Sequence, residues 1–231
     1  MNSVKACTAT KGGAGLNSPM KTDITLYYVH DPMCSWCWGF RPVWTRVVSQ
    51  LKKEISLIYV LGGLAPDTTK LMPPELQARI RNTWRRIQEE IPGSVFNFDF
   101  WETCSPRRST YPSCRAVIAA RNQIDDADTR MLLAIQQAYY LQAKNPSDFD
   151  VLISLAKTLG LNTDVFSADL NSSETKNQLH REFQLRDRLG VSSFPSIVLT
   201  IDDALYPVHI DYTDPDTILQ QINDYYTNSA G

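Results

Sequence analysis

Long apolar runs are missing from this 231-residue chain. No segment approaches the roughly 20 apolar residues that a membrane-spanning helix needs, so a place in a bilayer is not expected. The opening stretch "MNSVKACTATKGGAGLNSP" has no apolar core and does not read as a secretory signal. A cytoplasmic location is the expectation that follows. Strong charge of either sign is also missing. Lys and Arg number 23 against 25 Asp and Glu, a formal net charge of −2, which gives no general pull toward nucleic acid or an anionic lipid surface. Cysteine is scarce. Five residues, at positions 7, 34, 37, 104 and 114, are too few for a disulfide-stapled scaffold, and their odd number leaves at least one thiol unpaired in a monomer. What is present is ordinary for a globular protein, 43% apolar and 21% charged, and the length suits one domain carrying an insertion.

Residues 1–21 are rich in Gly, Ala, Thr, Ser and Lys without periodicity and read as a disordered tail, in which Cys7 has no assigned role. "DITLYYVH", residues 23–30, is a buried-strand pattern. From Trp38 to Lys53 the apolar residues Phe40, Val43, Trp44, Val47, Val48 and Leu51 recur at three- and four-residue spacing, which predicts a helix. "ISLIYVLG", 55–62, is a second buried strand. Strand, helix and strand make a βαβ unit with parallel strands. From Pro73 to about Leu189 nearly every segment is helical in period, except the aromatic stretch "GSVFNFDFWETCSPRRS", which reads as non-helical. Ser109 or Thr110 is the expected cap of the helix at "YPSCRAVIAARNQ". A strand at "PSIVLTI", a hairpin partner at "LYPVHI" and a last helix opened by Asp214 and Pro215 complete the chain. The expected division is 22–63 with 191–229 as one discontinuous unit and 64–190 as a helical insertion.

The chemistry concentrates in "HDPMCSWCWGF", residues 30–40. Cys34 stands where the first strand passes into the first helix. Unpaired N–H groups at a helix start carry partial positive charge, which favours a thiolate there. Cys37 lies one turn on, where helical spacing puts its sulfur beside that of Cys34. A lone CxxC can also be half of a zinc site, but Cys104 and Cys114 have the wrong spacing to complete one and the three histidines are scattered. Pro42 follows five residues later. In "GVSSFPSIVL" a proline precedes an apolar strand; this order resembles that of thioredoxin folds, which place a cis-proline loop there facing the CxxC, and the resemblance implies a cis Phe194–Pro195 bond.

With these motifs the sequence resembles the DsbA family of thioredoxin-like oxidoreductases, nearest the FrnE-like branch of predicted protein-disulfide isomerases. "DPMCSWCWGFRP", "PRRSTYPSCRAVIAA" and "LGVSSFPSIVL" carry the likeness, over roughly residues 23–228. It implies an α/β thioredoxin-like fold, βαβ…ββα, with a large all-helical insertion. It also implies dithiol–disulfide exchange with protein or peptide substrates, Cys34 as the exposed nucleophile, Cys37 as the resolving thiol, and no metal or bound organic cofactor. A neighbouring branch, similar to kappa-class glutathione transferases and 2-hydroxychromene-2-carboxylate isomerases, has the same architecture with serine in place of Cys34. Glutathione is thus a candidate thiol partner, and a glutathione-dependent transferase is the alternative function. A non-catalytic peptide- or metal-binding protein is a further alternative.

Several positions leave choices open. Many thioredoxin-like proteins carry a buried acid six residues before the first cysteine, and here that position is Tyr28. His30 or Asp31 could serve instead, although Asp31 also reads as a simple turn residue before Pro32. Cys114 reads as a small buried residue or as a third redox thiol, and a bridge to Cys104 is conceivable. Phe194 and Pro195 are expected to contact substrate. Trp36 and Trp38 are assigned there too, and with Phe40, Trp84 and Trp101 they could line an apolar groove, although aromatics more often pack a core.

Overall fold

The computed structural model describes residues 23–229; the expected tail over 1–21, and Cys7 within it, lie outside the described residues. Strand β1, Ile24–His30, leads into helix α1, Ser35–Gln50, and then strand β2, Ser56–Leu61. β1 and β2 pair in parallel, from Thr25 opposite Ser56 to His30 opposite Leu61. Helix α1 starts three residues before Trp38 and stops at Gln50, so the apolar period marks its buried stripe but misses its first turn. Pro42 sits inside it without ending it.

Seven helices follow among the described residues: α2 Pro74–Glu90, α3 Phe100–Thr103, α4 Tyr111–Arg121, α5 Ala127–Tyr140, α6 Phe149–Thr158, α7 Thr163–Leu170 and α8 Ser173–Arg188. The short α3 corrects the reading of residues 93–109 as wholly non-helical; one turn has no period to detect. The chain then returns as β3, Ser196–Ile201, and β4, Ala204–Val208, and ends in α9, Pro215–Ser229. Asp202 and Asp203 join β3 to β4 with φ of 46° and 70°, the positive values that a tight two-residue hairpin asks for.

The sheet order is β2-β1-β3-β4, with β3 antiparallel to both its neighbours. Pro207 stands on edge strand β4, where its missing N–H breaks no interior ladder. One face of the sheet is covered by α1 and α9, through Leu26, Phe40, Val47, Leu199, Ile218 and Ile222. On the other face Val29, Val60 and Val198 pack with Leu185 and Leu189 at the end of α8. The helices between β2 and β3 have their own core around Cys114, Met131, Ile135, Leu152 and Phe166. A fourth cluster, built from Met33, Trp38, Trp84, Phe96, Phe100, Trp101 and Tyr140, joins α1 to that block. The chain has a thioredoxin-like α/β fold with an all-helical insertion. The sheet and α1 place the cysteines where this insertion meets the thioredoxin-like part.

Candidate active site

Cys34 is the N-cap of α1, in extended backbone conformation (φ −79°, ψ 115°), and its sulfur accepts the backbone N–H of Cys37 at 3.3 Å. The thiol therefore takes the place usually held by Ser, Thr or Asp at a helix start, among donors left free by the first turn. The same thiol donates to the carbonyl of Phe194 at 3.3 Å. The Phe194–Pro195 bond is cis. Phe194 is half-buried, Pro195 is buried, and the Phe194 ring lies over Gly62 at the end of β2.

Cys37 is 1% exposed. Burial above all pushes its thiol well above the usual thiol range, and the hydrogen bond and charge of Cys34 act the same way. Both cysteines are free thiols in this structure. Cys34 is only 4% exposed, which corrects its reading as an exposed nucleophile: the cis-proline loop lies over its sulfur through the Phe194 carbonyl. The pair thus consists of one sulfur at a helix N-terminus and a second that stays protonated behind it.

Asp31 corrects the reading as a simple turn residue. It does open the turn: its carbonyl accepts from Cys34 N at 3.0 Å and its Oδ1 from Met33 N at 2.8 Å. But it is fully buried, and its Oδ2 accepts from Leu64 N and from the Thr110 hydroxyl, each at 2.7 Å. Cys114 Sγ donates to the same oxygen at 3.6 Å. Burial raises the Asp31 carboxyl above its ordinary value, while the donors Leu64, Thr110 and Met33 work against that. One carboxylate therefore joins the active-site turn, the end of β2 and the start of α4. Thr110 is the positional N-cap of α4, but its hydroxyl makes no cap bond, being engaged with Asp31 and Ala65 N. Ser109 does not cap either; its Oγ accepts from Thr68 N.

His30 is also buried. Its ring stacks on Tyr28 and meets Tyr59 edge-on, and burial lowers its pKa to about 3, so the imidazole is neutral near neutral pH. Tyr28, at the position where relatives carry an acid, stacks on Trp44 at 4.3 Å and is held protonated by burial. Cys114 is fully buried and its thiol raised, by burial first and the charge of Asp31 second. No bridge joins it to Cys104, which donates instead to the carbonyl of Ala143.

The tryptophans divide. Trp38 is buried, stacks on Tyr140 and donates to the carbonyl of Val95 at 3.0 Å. It packs α1 onto the helical block, which corrects its assignment as a substrate contact. Phe40, Trp84 and Trp101 are likewise core residues rather than groove linings. Trp36 remains half-exposed beside the cysteines, against Tyr212 at 5.1 Å and under the guanidinium of Arg86. Trp84, though remote in sequence, donates from Nε1 to Ser35 Oγ at 2.9 Å and so fixes the residue after Cys34. Tyr212 and Gly62 have no local signal for the site, and Thr110 and Trp84 read only as a helix cap and a groove lining; the fold brings all four to the cysteines. No group of three His, Cys, Asp or Glu side chains able to hold a metal forms among the described residues.

Three comparisons bear on this arrangement. A profile described as thioredoxin matches residues 27–211. Among solved structures, a candidate protein disulfide isomerase from Nitrosomonas europaea is 27% identical with a TM-score of 0.77, over 89% of this chain and 98% of that one. The cytosolic disulfide reductase DsbM from Pseudomonas aeruginosa is 24% identical with a TM-score of 0.70, over 88% and 98%, and has also been solved with GSH. Among curated proteins, the ClpXP adapter protein SpxH of Halalkalibacterium halodurans is 25% identical over 81% of this chain, and that of Bacillus subtilis 25% over 77%. The chain spans 65% and 58% of the length of those two relatives. Sequence profile, sheet order and the helix-capping cysteine agree, and the chain belongs to the thioredoxin family, with a DsbA-like fold.

Proposed function

We propose that this chain is a thiol–disulfide oxidoreductase or isomerase acting on protein or peptide disulfides. The observation that carries the reading is the position of Cys34 Sγ, which accepts the Cys37 N–H at the start of α1 and lies against the carbonyl of Phe194. The Cys34 thiolate attacks one sulfur of a substrate disulfide; the other sulfur leaves with the electron pair and takes a proton. Cys37 then attacks Cys34, the mixed disulfide breaks, and the second substrate sulfur leaves. The substrate gains two electrons and two protons, and the Cys34–Cys37 pair becomes the disulfide. Phe194 and Pro195 form the wall on which the substrate chain lies, with Trp36 beside it. Two molecules of a small thiol such as glutathione reduce the Cys34–Cys37 disulfide again and leave as their own disulfide. The reading includes a reducing, cytoplasmic setting, in keeping with the likeness to a cytosolic disulfide reductase. The test is insulin-disulfide reduction: wild type should be active and Cys34→Ser inactive, and equal activity of the two would refute the proposal.

The SpxH relatives favour a second reading, a protein-binding adapter whose CxxC is not turned over. It requires that a partner binds equally well to wild type and to Cys34→Ser, which a pull-down with both proteins decides.

A further inference from the structure

Behind Cys37 lies a cavity of about 170 Å³, where β1, α1, β2 and α5 meet. Its lining includes Tyr28, His30, Cys37, Tyr59, Leu133 and Gln136. A water molecule takes roughly 30 Å³ of liquid, so the space holds several. Two fully packed lining residues carry buried polar atoms with no partner among the described residues: His30 Nδ1 and Gln136 Oε1. Arg41 Nε, at the half-buried side of the cavity, is a third. A void lined only by carbon stays dry, whereas unsatisfied buried polar groups, each costing about 1–3 kcal/mol, draw water in.

The rest of the site leaves Cys37 without a proton acceptor. Its thiol is held protonated, and at 1% exposure it has no face on bulk solvent. Tyr28 occupies the position of the family's acid but is itself protonated. Both oxygens of Asp31 already accept from Met33 N, Leu64 N, Thr110 and Cys114.

We propose that this cavity is the hydrated exit for the Cys37 proton, and that His30 is the positioning residue that orders its innermost water. The inference rests on the dithiol-exchange reading and concerns its second step. As Cys37 attacks Cys34 of the mixed disulfide, cavity water takes the proton from its sulfur. The Cys34–substrate bond breaks, the electron pair leaves with the substrate sulfur, and the Cys34–Cys37 bond forms. The proton passes along the water to solvent, and the departing thiolate takes one up there. A neutral imidazole accepts a hydrogen bond from that water without keeping the proton.

The test follows the two steps separately, by acid-quench mass analysis, when reduced protein meets di-eosin glutathione disulfide in H2O and in D2O. His30→Phe removes the acceptor; Leu133→Trp, at a partly exposed lining position, fills the cavity instead. Both should slow resolution of the mixed disulfide on the order of tenfold or more relative to its formation, and His30→Asn, which keeps an acceptor, should recover part of the loss. Wild type should show a normal solvent isotope effect on resolution, altered in the two slow variants. Wild-type resolution in both would overturn the inference while leaving dithiol exchange standing. Failure of wild type to reduce the disulfide at all, together with no adduct on Cys37→Ser, would overturn the exchange reading and this inference with it.

Discussion

The carbonyl oxygen of Phe194 lies 3.3 Å from the sulfur of Cys34, across 160 residues of sequence. The ring of Phe194 is seated on Gly62, where an added Cβ would stand 2.1 Å from its Cε1. Gly62 is required here for space. A methyl at that point pushes the ring, and with it the carbonyl, away from the reactive sulfur. Gly62→Ala should cost about 1–3 kcal/mol of stability and reduce insulin-disulfide turnover severalfold. The double variant with Phe194→Leu should recover stability. Urea unfolding and the turnover assay read both.

His30 and Asp31 act oppositely on acid stability. The folded chain holds His30 neutral, with its pKa near 3 against an ordinary 6.5, so between those values the unfolded chain takes a proton that the folded one refuses. Stability is present above pH 6.5 and is lost as pH falls toward 3, by up to about 5 kcal/mol. Tyr28 and Tyr59, which face the imidazole, are raised above 10 and do not titrate in this window. Asp31, raised by burial, offsets part of the loss because its protonation relieves a buried charge. His30→Phe should flatten the acid limb of urea-unfolding free energy against pH. An unchanged slope would contradict the assignment.

Thr110 supplies one of the donors that hold the Asp31 carboxylate, and its hydroxyl also accepts from Ala65 N. Thr110→Val keeps the shape and removes both bonds. It should destabilise by about 1–3 kcal/mol, since Ala65 N–H is left unpaired while Asp31 Oδ2 keeps Leu64 N and Cys114 as donors. Asp31 should then titrate at a higher pH, measurable by carboxyl carbon NMR.

Trp84 links the helical block to the residue between the cysteines through its bond to Ser35 Oγ. It is fully buried among Phe96, Phe100, Trp101, Tyr139 and Tyr140. Trp84→Ala should cost about 3–5 kcal/mol. Ser35→Ala should cost much less, about 1 kcal/mol, by leaving one indole N–H unpaired. Thermal unfolding of the two variants separates packing from the hydrogen bond.

Much of this fold is legible in the sequence because its elements are long and periodic. The apolar stripe of α1, the βαβ unit and the Asp214–Pro215 start of α9 all rest on local pattern, and Asp214 does cap as expected, accepting from Asp216 N and Thr217 Oγ1. The cysteine pair at the strand-to-helix junction is legible for the same reason. What escapes is set by contacts between distant segments. Asp31 looks like a turn residue because the donors that bury it come from positions 64 and 110. Trp38 looks like a substrate contact because its partners, Val95 and Tyr140, belong to the insertion. The single turn of α3 is too short to leave a period.

The most direct measurement of Cys34 as the nucleophile uses Cys37→Ser, which removes the resolving thiol and leaves the first step intact. Incubated with a disulfide-bonded peptide, this variant should accumulate a covalent adduct of one peptide half. Proteolysis and mass spectrometry should place the adduct on Cys34. No adduct, or one placed on Cys104 or Cys114, would contradict the assignment of Cys34.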